Sequence, residues 1–131
     1  MKVRARPGQM QDRIKLLARV KSLSHKDIAD QIMALFRLRQ VPAWRIHGHL
    51  GQTPGISDII GVWPKTGRPS GSRRRPGSIR GQFLAVEVKA GEDKLSEPQE
   101  AFLEAVRQAG GLAVVARSLE DVLILWREEE P

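Results

Sequence analysis

Apolar positions along the chain alternate between helical and strand-like periods. From Gln9 to Val20, Met10, Ile14, Leu17 and Ala18 recur at a helical spacing, after a basic arm over residues 1–8 that ends at Pro7-Gly8. Leu23 and Ser24 break that pattern. Ser24-His25-Lys26-Asp27 reads as a capping box, and Ile28, Ile32, Leu35 and Phe36 then give a second helix a buried stripe to about Arg39. Val41-Pro42 ends it. Ala43-Trp44-Arg45-Ile46-His47 predicts a short strand with Trp44 and Ile46 on one face, and a turn-rich connection follows to Gly55. Ser57 to Trp63 is apolar enough for a central strand, with Pro64 as its stop.

Lys65 to Gln82 intersperses Gly67, Pro69, Gly71, Pro76, Gly77 and Gly81 with arginines and predicts a long loop with little regular structure. Phe83 to Lys89 predicts a third strand. Ser96 to Ala109 predicts a helix capped by Ser96 or Glu97, with Pro98 in its first turn and Gly110-Gly111 after its end. Leu112 to Ala116 predicts a fourth strand, and Ser118-Leu119-Glu120-Asp121 opens a last helix. Strands two and three can pair as a hairpin. The helix between strands three and four permits a parallel crossover, so the expected fold is mixed α/β (α+β mixed), a sheet flanked by helices.

Charge adds a partner to this picture. The 131 residues carry a formal net charge of +7, which favours a polyanion and above all nucleic acid. The basic residues cluster before Lys26 and again from Lys65 to Arg80, where Lys65, Arg68, Arg73, Arg74, Arg75 and Arg80 face no acid in the sequence. Such a run fits either a DNA-holding loop or a solvated one. The absence of cysteine rules out a disulfide scaffold and a thiolate metal site. The length suits one domain over 1–131, and the lack of a long apolar run leads us to expect a soluble, cytoplasmic protein.

Chemistry concentrates between Gly55 and Lys89. Alternation on a strand puts Glu87 and Lys89 on one side, with Val86 and Val88 on the other. Asp58 enters the neighbouring strand and comes within reach if the two run antiparallel. Two carboxylates, a backbone carbonyl such as that of Val88, and water make a hard oxygen site for Mg²⁺ or Mn²⁺. An ordinary cross-strand ion pair, with Asp58 as a turn acid, fits the same three residues.

The surrounding text separates these readings. Gly55-Ile56-Ser57-Asp58, Glu87-Val88-Lys89, Leu95-Ser96-Glu97-Pro98-Gln99, Ala109-Gly110-Gly111 and Val114 to Val122 resemble the VRR-NUC (virus-type replication-repair nuclease) family of the PD-(D/E)XK superfamily. The resemblance covers roughly residues 24 to 125 and leaves residues 1–23 outside. It implies a restriction-endonuclease-like αβββαβ core and a Mg²⁺-dependent endodeoxyribonuclease, with Mn²⁺ as a substitute. By the same resemblance Asp58 and Glu87 are metal ligands, Lys89 is the catalytic lysine and Gln99 supports the site. Ser96-x-x-Gln99 is also a capping box, so Gln99 keeps two readings. The resemblance also implies a further acid from the first core helix, Asp27 or, as the second choice, Asp30, and Asp27 can instead serve only as the partner of Ser24. Two departures, Ser57 for the usual proline and Glu97-Pro98 for the inverse order, remove no ligand.

Stand-alone members resemble Holliday-junction resolvases, which implies branched DNA as partner and a homodimer as the working state. A restriction-like or end-processing nuclease and a non-catalytic DNA-binding domain are the alternatives. Arg45 and His47 are expected to contact phosphate beside the arginine loop. His47 and His49 lack a third soft ligand for zinc, and Trp44, Trp63 and Trp126 are expected in the core.

Overall fold

A computed structural model describes residues 23–48, 53–66 and 79–127. The predicted N-terminal arm and first helix, and Arg68, Arg73, Arg74 and Arg75, lie outside the described residues, as does His49. In chain order the elements are α1 (His25–Leu38), β1 (Ala43–Arg45), β2 (Ile59–Thr66), β3 (Ile79–Val88), α2 (Glu97–Gln108), β4 (Leu112–Ala116) and α3 (Leu119–Arg127). The four strands form one sheet in the order β1-β2-β3-β4, antiparallel except for the parallel β3–β4 pair. This is the mixed sheet flanked by helices that the apolar pattern predicts.

Both long helices begin where a serine can cap them. Ser24 Oγ accepts from the Asp27 N–H while Asp27 Oδ2 accepts from the Ser24 N–H, and Ser96 and Gln99 repeat the exchange at α2. The stripe of α1 then buries Ile28, Ala29, Ile32 and Phe36 against one sheet face, where Leu84, Val86 and Val88 of β3 and Val122 and Leu125 of α3 meet them. Trp63 is enclosed there at 2% exposure and meets Trp126 edge-on, with ring centroids 4.9 Å apart. The opposite face is covered by α2, whose Leu103 and Val106 close over Ala85. Alternation therefore sends Val86 and Val88 into the main core and turns Glu87 toward the α2 side.

Three expectations need correction. Pro64 does not stop the second strand, which runs on to Thr66. Val62 N–H bonds the Pro42 carbonyl, so two residues later the missing N–H of Pro64 faces the same edge, beyond the end of β1, and no ladder bond is lost. The expected loop is also shorter, because Lys65 pairs with Arg80 and Thr66 with Ile79 as outer rungs of the β2–β3 hairpin. Trp44 is not in the core: it is 56% exposed on β1, opposite Ile60, on the face that α2 covers only at its far side.

Candidate active site

The β2–β3 register pairs Ile59 with Val86, which places Asp58 across from Glu87 where the two strands open. Asp58 Oδ2 accepts a hydrogen bond of 2.8 Å from the Val88 N–H. In a regular pleat the carbonyl of Val88 points to the same edge of β3 as its N–H. Lys89 leaves the strand on the side of Glu87, with its Nζ 3.8 Å from Glu87 Oε1 and its side chain 14% exposed. From α2, Gln99 Nε2 donates to the same Oε1 at 2.9 Å. Asp58, Glu87, Lys89 and Gln99 thus converge from three elements, with a cavity of about 300 Å³ opening beside Asp58 toward Gly48 and Thr53.

Glu87 carries the electrostatic strain of this arrangement. It is 2% exposed, and its Oε2 is buried without a hydrogen-bond partner among the described residues. Burial, and then the neighbouring Asp58 carboxylate, push its carboxyl up to about 8, while Lys89 pulls the other way. A buried carboxyl with one oxygen left unpartnered is rare in a structural site and needs an explanation. Two carboxylates with a bare buried oxygen and a backbone carbonyl form the donor set of a hard cation that keeps several water ligands, so these residues fit Mg²⁺. Among the described residues no group of three or more His, Cys, Asp or Glu side chains is arranged to hold a metal ion by itself.

The other predicted residues are placed as follows. Asp27 is engaged in the capping box of α1, and its neighbour Asp30 pairs with Lys26 and with Arg45 Nη1 at 2.8 Å. Arg45 is therefore already ion-paired. His47 is exposed just after β1, and Lys65 and Arg80 face each other across the hairpin, away from the acids. One contact was not foreseen: His25, the first residue of α1, has Nε2 3.2 Å from Asp58 Oδ1. The sequence offered it only as part of a capping box, since nothing local signals that α1 begins beside β2.

A mixed sheet flanked by helices, with an acid entering one strand and Glu-x-Lys leaving the next, is the core of a PD-(D/E)XK-type nuclease. The family model described as the VRR-NUC domain matches residues 6–120, and the chain belongs to that family. The match reaches back through residues 6–23, upstream of the motifs quoted above. The family makes the chain a nuclease domain, with DNA as the implied substrate. No curated protein and no solved structure gives a significant match. No helix among the described residues is long and apolar enough to cross a membrane.

Proposed function

We propose that this chain is a divalent-cation-dependent endodeoxyribonuclease that cuts branched DNA as a homodimer. One observation carries the cation and the chemistry: the buried, partnerless Oε2 of Glu87 beside Asp58 and Lys89. Asp58 and Glu87, with the carbonyl of Val88, would hold Mg²⁺, or Mn²⁺ in its place. A cation there supplies a Lewis acid for the scissile phosphate and lowers the pKa of nearby water. Lys89 would orient the attacking water and offset negative charge gathering on the phosphate. Gln99 fixes the rotamer of Glu87, and the Val88 N–H fixes that of Asp58. Water adds to phosphorus as the bridging P–O bond breaks and its oxygen leaves as an alcohol.

The branched substrate and the dimer are supported by charge and size. A net charge of +7 on 131 residues favours a large polyanion, and a four-way junction requires two cuts related by symmetry. Arg73, Arg74 and Arg75, with the basic residues before Lys26, are the phosphate-holding groups in this reading, which positions DNA without reading bases. The test is a panel of junction, flap, splayed-arm and duplex DNA, with Mg²⁺ or Mn²⁺ and mapped cut sites. Paired symmetric nicks in the junction, lost in Glu87→Ala with DNA binding retained, are expected. No cleavage of any member by wild-type protein would sink the assignment.

A further inference from the structure

A second cavity among the described residues, larger than the one beside Asp58, lies away from the acids. It is a groove of about 550 Å³ between the outer half of the β2–β3 hairpin and the C-terminal half of α2. Phe83 and Phe102 provide its aromatic surface, Lys65 and Arg80 its positive charge, and Gln82 and Gly110 its polar edge. Phe83 is 46% exposed, although its neighbours Leu84 and Ala85 are fully buried. β4 begins opposite Leu84, so among the described residues no strand pairs with β3 on that side before this point. Gln82 Nε2 donates one hydrogen to the Gly110 carbonyl at 2.8 Å, which fixes the amide, and among the described residues Oε1 and the second N–H are left for a ligand.

We infer that this groove receives the base of an unpaired nucleotide of the DNA substrate, stacked on Phe83 and Phe102, with the adjoining phosphates on Lys65 and Arg80. The identity of the ligand as DNA rests on the nuclease reading above. A flat π-face against phenylalanine is a sequence-tolerant contact, and the free donor and acceptor of Gln82 match a base edge. Two cations beside an aromatic floor complement a nucleotide better than they do the apolar face of a protein helix. Position favours it as well. Phe83 and Glu87 lie on the same face of β3, four residues or about 13 Å apart, so a strand running from the groove reaches the acids within a few nucleotides. The groove would then take a base freed at a branch point or in a single-stranded arm, since a paired base cannot enter.

The test needs no cleavage. Splayed-arm DNA carrying 5-iododeoxyuridine at successive positions of one arm is bound to wild-type protein without divalent cation and irradiated. Crosslinks to peptides containing Phe83 or Phe102 are expected, and their absence at every position overturns the proposal. In parallel, Phe83→Leu, which keeps apolar bulk, should weaken splayed-arm binding about tenfold and leave blunt-duplex binding unchanged, and Phe83→Tyr should restore it. Equal loss on both DNAs, or no rescue by tyrosine, overturns it. So does a fall in sedimenting mass with unchanged DNA preference, which would make the groove a contact between copies of the chain. Crosslinking at the groove with no cleavage by any cation would support the groove and sink the nuclease reading.

Discussion

Gln99 joins the cap of a helix to the buried acid of the site. Its Oε1 accepts from the Ser96 N–H at 2.9 Å, and its Nε2 donates to Glu87 Oε1 at 2.9 Å. The capping and functional readings of this residue are therefore one arrangement, and two substitutions can separate them. Gln99→Ala should lose both bonds, costing about 1 kcal/mol of stability. Gln99→Glu preserves the capping box but sets a second carboxylate against Glu87. Both should reduce cleavage by roughly 10- to 100-fold, as removal of a ligand-orienting group does. Only alanine should lower the urea midpoint through the cap. Full activity in Gln99→Glu would show that orientation of Glu87 by an amide donor is unimportant.

Glu87 also sets a pH dependence. Its carboxyl is raised from 4.5 to about 8 in the folded protein, mainly by burial and then by Asp58. Between these values the native state holds a proton that the unfolded chain has released, so stability falls as pH rises. The contribution is fully present below pH 4.5, declines toward pH 8 and is gone above it. Cation-free protein should lose up to a few kcal/mol across this window by urea titration. Glu87→Gln should flatten the slope, and Mg²⁺ should restore stability to wild type at the alkaline end, because only the carboxylate binds it. A wild-type profile that rises through the same range would contradict the assignment of Glu87 as a protonated acid in the free protein.

The arginine run bears on affinity rather than chemistry. Each phosphate neutralised by Arg73, Arg74 or Arg75 releases counterions, so replacing all three by alanine should reduce the salt slope of DNA binding by up to about 3. Binding isotherms over a salt series, with Glu87→Ala as background to prevent cleavage, provide the measurement. An unchanged slope would remove the run from the interface.

Ser57, just before Asp58, is fully buried, with its hydroxyl unpartnered among the described residues. A buried hydroxyl without a bond is destabilising, so Ser57→Ala should raise stability by about 1 kcal/mol. Asp58 keeps its bond to the Val88 N–H, so cleavage should be unaltered. A loss of stability of similar size would show that the hydroxyl has a partner the present geometry does not include.

Legibility in the sequence followed the range of the interaction. Capping at Ser24 and Ser96 depends on residues three apart and could be read directly, as could the stripe of Ile28, Ile32 and Phe36. The approach of Asp58 to Glu87 was legible because antiparallel pairing and alternation together dictate it. Pro64 and Trp44 were misread because both depend on the short edge strand β1, which pairs with only three residues of β2. That length exempts Pro64 from ladder bonding, and with β1 at the sheet edge, away from α2, Trp44 stays on an uncovered face; both are properties of the sheet rather than of either local sequence. The contact of His25 with Asp58 and the bare Oε2 of Glu87 depend on how α1 and α2 are seated, which no periodicity encodes.

Gly55 holds the loop bearing Asp58 against the start of α2. Its φ of +88° is one that glycine adopts freely, and a Cβ there would overlap the carbonyl of Pro98 in the first turn of that helix. Gly55→Ala therefore combines about 1–3 kcal/mol of backbone strain with a backbone clash that the loop and α2 can relieve only by moving apart. Asp58 lies on one side of that contact and Gln99 on the other, so separation should also reduce cleavage at temperatures where the variant is folded. Gly91 provides the control, because it has a φ of +55° and nothing within 4 Å of an added Cβ. Gly91→Ala should show strain alone, with a lower melting temperature and wild-type cleavage per folded molecule. If the two variants lose cleavage equally once corrected for folded fraction, the Gly55–Pro98 contact does not position the site.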